Sequence, residues 1–221
     1  MNFPAQLFPA AWSVSAWVLL GAVLGVSLRG APWKQLRESS RFNVLAGAVV
    51  VLVLLWSMKA GVKPGLDLHL IGATVMVLAF GPQLALVGLL AVLAGVTANG
   101  SAGWSSFALN AMVMVLVPVA AAWGWLRLAQ RFLPSHLFVY IFVNGFFGAA
   151  LAVMAIGLAA VLLLLASGTY GAEYLLSEYL PYYVLLAFSE AWISGMAITL
   201  MVVYRPEWVA TFDDRRYLLN K

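Results

Sequence analysis

His69 stands two residues after Asp67, at the start of a long apolar run, and is one of only two histidines in the chain. A neutral imidazole is a good ligand for Ni, Co, Cu and Zn. One histidine makes no site, so further donors must come from elsewhere in the chain. With no cysteine present, thiolate metal sites, disulfides and cysteine nucleophiles are excluded. Glu190 is the only carboxylate deep inside an apolar run. Burying a charge in a membrane costs at least a few kcal/mol, which makes such a residue a functional candidate by default. Asn110 and Asn144 are uncharged polar residues inside other apolar runs, and both are natural partners for Glu190. The three are expected to form a polar interior that holds helices together or lines a pathway. Met112 and Met114 lie at helical spacing and read as packing. His136, after Pro134-Ser135, reads as interfacial.

The elements that position these residues follow from composition. The 221 residues are 64% hydrophobic and 9% charged, with mean hydropathy +0.99. Ordinary soluble domains are about half apolar and about one quarter charged. Several runs approach or exceed the ~20 residues that span a bilayer, and the alternating strands of a membrane barrel are missing. The reading is an all-α polytopic membrane protein forming a single integral domain over 1–221. The net charge of +4 lies at membrane edges and is no nucleic-acid signal. No Lys or Arg precedes the first apolar stretch, so it is expected to be kept as a helix rather than to act as a signal peptide.

Charge sets the topology. A span over 10–28 is followed by Arg29, Lys34, Arg37 and Arg41 against a single Glu38. This loop, about 29–42, is expected to be cytoplasmic, which puts the N-terminus outside. A second span covers 43–58. If 68–97 crossed once, every later loop would violate the positive-inside tendency. Broken at Gly81-Pro82 into arms of 13 to 16 residues, as two short helices or a re-entrant hairpin, it restores them all. Spans over 104–126, 136–166 and 181–204 follow, with Glu173 and Glu178 in an outer loop and the tail, about 205–221, inside. That gives about seven membrane helices, N-out and C-in, with a short broken pair at Gly81-Pro82. His69 then lies on the outer face, where Asp67, the amine and side chain of Met1, and Asn2 are admissible partners.

Four stretches, in this order and spacing, resemble a known family: Leu68 to Thr74 followed by Phe80-Gly81-Pro82, Ala108 to Met112, Ser189 to Gly195, and Arg205 to Val209. The pattern is similar to the membrane substrate-capture component of energy-coupling-factor transporters for cobalt and nickel, over about residues 67–209. The resemblance implies a seven-helix subunit that binds Co or Ni near its extracellular face. The implied ligands are the N-terminal amine, a histidine at position two and a histidine in the third-helix region, the last carried here by His69. It also implies a bacterial inner-membrane location, a membrane coupling subunit and cytoplasmic ATPase subunits. The chain departs from the family at the second position, which is Asn2.

The expected function is therefore a permease subunit that takes up a divalent transition metal, with Co or Ni as substrate and no intrinsic cofactor. The chain has no Walker A loop, H-E-x-x-H or G-x-S-x-G motif, so ATP hydrolysis falls to partners. Two other classes remain open at this point. One is a membrane scaffold or assembly factor in which the polar residues only hold the bundle. The other is an intramembrane enzyme using Glu190 and a histidine.

Overall fold

A computed structural model describes residues 3–4, 7–37, 40–61, 63, 66–100 and 103–219. The helices are α1 (Ala10–Gly30), α2 (Trp33–Arg37), α3 (Arg41–Ser57) and α4 (Ala73–Ala98), then α5 (Trp104–Phe132), α6 (Leu137–Ala166) and α7 (Ala172–Tyr204). Among the described residues, five stretches are long and apolar enough to cross a membrane: α1, α4, α5, α6 and α7. α3 is shorter, at 17 residues. A two-residue ribbon, β1 (Ala60–Gly61) and β2 (Asp67–Leu68), pairs antiparallel between α3 and α4. Large apolar side chains such as Val18, Val26, Leu54, Leu162 and Phe188 face outward. In water this would be costly. In lipid it is the expected surface.

α4 is two helices, as the loop charges require. Gly81 has φ 79° and ψ 166°, a conformation open essentially to glycine alone, and Pro82 has no N–H to continue the ladder. The contacts show that the chain reverses there. Met76 packs its terminal methyl against Gly88, yet in a straight helix those residues would lie about 18 Å apart. Gly72 meets Leu52, Gly88 meets Leu45, and Gly95 meets Val53. The arm 73–80 therefore runs antiparallel to α3, and the arm 82–98 runs parallel to it. The first arm rises only about 12 Å, shorter than the expected 13 residues, because residues 69–72 are not helical.

The break frees two carbonyls, and the end of the chain satisfies them. Leu78 O has lost its partner because Pro82 has no N–H; it accepts from Thr211 N at 3.2 Å and Thr211 Oγ1 at 2.8 Å. Ala79 O accepts from Ala210 N at 2.9 Å. Tyr140 OH pairs with Thr211 Oγ1 at 2.6 Å. The rings of Tyr140, Phe212 and Tyr217 pack around this knot. We call this the tail end of the bundle. It also holds Gly30, with the Gln83 side chain nearby, and Arg41, whose Nε donates to Glu207 O at 3.2 Å. The opposite, mouth end holds the ribbon and the loop 66–72.

Two helices run past their expected ends. α5 continues to Phe132, and a π-turn over Met112–Leu116 immediately precedes Pro118, absorbing the proline as such bulges do. α7 begins at Ala172 rather than near Pro181, so Glu173 and Glu178 lie on a helix instead of in a loop. Here too a π-turn, Leu175–Tyr179, comes just before the proline. Close approach of α6 to α7 depends on glycine. A Cβ on Gly157 would strike the ring of Tyr183, and one on Gly195 the ring of Phe146.

Candidate functional site

The loop 66–72 enters the bundle from the mouth end, and two side chains from distant parts of the chain, Glu190 and Trp56, hold it. Glu190 of α7 uses both oxygens: Oε2 accepts from Ile71 N at 2.9 Å and Oε1 from Gly72 N at 2.6 Å. Ser194 Oγ donates to Oε1 at 3.3 Å. Trp56, at the end of α3, donates its indole N–H to Ile71 O at 3.1 Å. Both backbone polar groups of Ile71 are thus satisfied by side chains at least 15 residues away. Gly72 ends the loop in the left-handed region, φ 70° and ψ 8°, where a Cβ would also run into Leu52. No other residue serves there without strain.

This framework orients His69. Its ring lies 4.9 Å from that of Trp56 between centroids, tilted by 42°. Nδ1 lies 3.0 Å from Leu70 O. A carbonyl only accepts, so Nδ1 carries the hydrogen and Nε2 presents its lone pair. The residue is buried, and Nε2 has no hydrogen-bond partner among the described residues. Burial, reinforced by the nearby Lys59 cation, pushes the imidazole well below its ordinary pKa, so it is neutral at pH 7. A buried acceptor without a donor costs roughly 1–3 kcal/mol. A neutral, oriented imidazole with a free lone pair is also what a metal ligand requires.

The other sequence candidates are placed separately. Asp67 lies on β2 and pairs with Lys59 Nζ at 3.3 Å. Asn110 grips the N-terminal segment at two points: Oδ1 accepts from Phe3 N at 2.8 Å and Nδ2 donates to Phe3 O at 3.3 Å. Phe3 is fully buried and packs edge-on against Phe8, which stacks on Trp12. Thr169 Oγ1 donates to Leu7 O at 3.1 Å, adding a second anchor. Met1 and Asn2 lie outside the described residues. Asn144 lies near the tail end beside Gln130, Ser135 and Tyr217, with Oδ1 buried and without a partner among the described residues. Neither asparagine bonds Glu190, whose partners are backbone amides and Ser194. The three residues of the expected polar interior therefore lie in three separate places. His136 caps α6, with Nδ1 accepting from Phe138 N at 3.1 Å.

Trp56 is the site residue that sequence reasoning missed. Its only local signal is a tryptophan in the last turn of a span, the usual place for an interfacial anchor. Among the described residues no three of His, Asp and Glu converge as a metal site, so His69 is the one oriented donor.

Comparisons with known proteins agree with this architecture. A family model described as the cobalt uptake substrate-specific transmembrane region, CbiM, matches residues 2–208. Two solved structures share the fold. One, a truncated transition metal transporter, aligns with TM-score 0.77 at 18% identity, over 92% of this chain and 99% of that one. The other, a transition metal transporter, aligns with TM-score 0.76 at 17% identity, over 91% of this chain and 92% of that one. No curated protein sequence matches the chain. With the family match running over nearly its whole length, this chain belongs to the CbiM family of cobalt-uptake substrate-specific transmembrane regions.

Proposed function

We propose that the protein is the substrate-binding membrane subunit of an energy-coupled system that takes up a divalent transition metal, Co or Ni. The bundle crosses the membrane seven times with the N-terminus outside and the C-terminus in the cytoplasm, counting the two arms of α4 separately. The mouth end faces out. His69 Nε2 is a ligand, and the N-terminal segment gripped by Asn110 closes over the site and contributes further donors from Met1 and Asn2. Asp67 lies close by in sequence, held by Lys59, and tunes the charge at the entrance. A membrane coupling subunit and cytoplasmic ATPase subunits supply the energy, in a bacterial inner membrane.

The observation that carries this reading is His69 Nε2, buried and without a partner among the described residues, on a ring fixed by Trp56 and by its own Nδ1 bond. A scaffold protein would leave no such lone pair open, since an orphaned acceptor is a pure cost to its stability. An intramembrane enzyme would need a free carboxylate, yet both Glu190 oxygens already accept backbone N–H groups. A site with one imidazole and Asn2 in place of a second lacks a strong nitrogen donor, so weaker binding than in a two-histidine site is expected.

The test is titration of Co and Ni into the purified full-length protein, wild type against His69→Ala, with folding checked by thermal unfolding. Loss of one of few ligands should weaken binding by at least tenfold, toward the upper part of the 10–100-fold range seen for weaker outer-shell changes. Equal binding by both proteins, or binding by neither, would overturn the proposal.

A further inference from the structure

At the tail end three arginines converge on a cavity that the metal site does not use. Arg127, Arg131 and Arg216, with Gln130 and Leu128, line an open cleft of about 500 Å³. Arg127 and Arg131 are one turn apart on α5 and lie on the same face. Arg216 comes from the C-terminal segment and is held in place: Nε donates to Ser135 Oγ at 3.2 Å and Nη2 to Gln130 O at 3.2 Å. No carboxylate among the described residues lies within 4.0 Å of any of the three guanidiniums, since the ion pairs found join Lys59 to Asp67 and Arg205 to Glu207. Three positive charges around one cleft repel one another unless an anion lies between them.

The surroundings identify the anion. Each guanidinium lies over an aromatic ring: Arg127 over Trp123, Arg131 over Phe132, and Arg216 over Tyr217. Leu128 on the cleft wall, Phe132 beneath Arg131 and Leu133 next to it are all exposed and form an apolar rim beside the charges. The cleft lies where α5 leaves its apolar stretch and α6 enters its own, so it sits at the level of lipid headgroups. A site for a soluble anion has no use for exposed leucine and phenylalanine at its edge. A lipid has, because its acyl chains cover that rim while its phosphate meets the guanidiniums. Arginine also suits phosphate oxygens through paired N–H donors. We propose that this cleft binds the phosphate headgroup of an anionic phospholipid and anchors the end of α5 and the C-terminal segment to the membrane surface.

Native mass spectrometry of the full-length protein released from detergent, with dioleoyl-phosphatidylglycerol and dioleoyl-phosphatidylcholine in equal amounts, tests the proposal. Wild type should retain phosphatidylglycerol preferentially, and the preference should shrink as salt rises. Each arginine removed should lower phosphatidylglycerol affinity about fivefold. R127Q/R131Q, which changes only outward-facing side chains, should therefore lose about 25-fold by the same arithmetic, while R127K/R131K keeps the charge and most of the preference. Equal retention of the two lipids by wild type would overturn the proposal without recourse to any variant. So would an unchanged preference in R127Q/R131Q. Inorganic phosphate displacing the lipid at equal concentration would also overturn it, because the site would then serve a soluble anion.

Discussion

Glu190→Ala and Glu190→Gln separate the two tasks assigned to this carboxyl group, holding the loop and thereby placing His69. In the native protein it satisfies Ile71 N–H, Gly72 N–H and the Ser194 hydroxyl. Ser194 can turn to its own helix when the carboxyl is removed, but the two loop amides have no other acceptor among the described residues. A buried donor left unsatisfied costs roughly 1–3 kcal/mol, so Glu190→Ala should cost about 3 kcal/mol. The adjoining cavity of about 180 Å³ is lined almost wholly by apolar side chains, so water entering it gives little relief. Glutamine keeps one acceptor and sets an amide N–H₂ against the second donor, at about half the cost. For a protein of this size roughly 2–4 °C accompanies each kcal/mol. Thermal unfolding in a fixed detergent should then fall by about 6–12 °C for Glu190→Ala and about 3–6 °C for Glu190→Gln. Metal titration supplies the second readout: Glu190→Gln leaves every proposed donor in place, so a tenfold loss of affinity, about 1.4 kcal/mol, would come from loop order alone. Unfolding temperatures within 1 °C of wild type for both variants would refute the clamp. A destabilised Glu190→Gln with undiminished metal affinity would refute the link to His69.

Two further perturbations test other parts of the reasoning. Gly81→Ala adds a methyl group into open space, with only Gln83 Oε1 within 4 Å; its cost is therefore pure backbone strain of about 1–3 kcal/mol, and unchanged stability would show that the reversal does not need φ 79°. In metal-free protein the depressed pKa of His69 means that below about pH 6.5 the unfolded chain binds a proton that the folded chain refuses. Stability should fall by up to about 1.4 kcal/mol per pH unit as pH drops below that value, and the slope should end at the folded pKa; denaturant unfolding of wild type and His69→Ala between pH 7.5 and 5 measures it, and equal slopes would refute the buried neutral imidazole.

Much of the framework was legible because membrane helices announce themselves in one dimension. The reversal at Gly81-Pro82 follows from the signs of loops more than 40 residues away, since a single crossing would have inverted all of them. Local pattern failed where a distant group overrode it. Leu68 to Gly72 is apolar and reads as the start of a helix, but Glu190, 119 residues beyond Ile71, captures the amides of Ile71 and Gly72, and residues 69–72 stay out of the helix. The same contact explains a half-success: the lone intramembrane carboxylate was recognisable as important, whereas its partners are backbone atoms, which no side-chain pattern reveals. Asn110 and Asn144 were grouped with it by chemical kind. Space separates them, because Asn110 sits where the N-terminal segment crosses α5 and Asn144 lies beside the tail. A π-turn before Pro181 lets α7 begin at Ala172, upstream of the start that the proline suggested, and another lets α5 pass through Pro118.

The arm 73–80 joins these observations into one mechanical unit. At its upper end Glu190 and Trp56 fix Ile71 and Gly72, two residues from His69. At its lower end Ala210 and Thr211 occupy the carbonyls that Pro82 and the glycine reversal leave open. The arm is buried along its length, about 12 Å long, and a single helix between two hydrogen-bonded clamps does not shorten or bend at low cost. Releasing residues 210–211 would expose the Leu78 and Ala79 carbonyls at the tail end, each worth roughly 1–3 kcal/mol if left unpaired. A shift that relieves them by letting the arm move must drag the loop against Glu190 and Trp56. The loop that presents the imidazole and the segment that closes the opposite end of the bundle therefore form the two ends of one rigid element. The glycine-proline break in the apolar run is what makes that element short enough to be held at both ends.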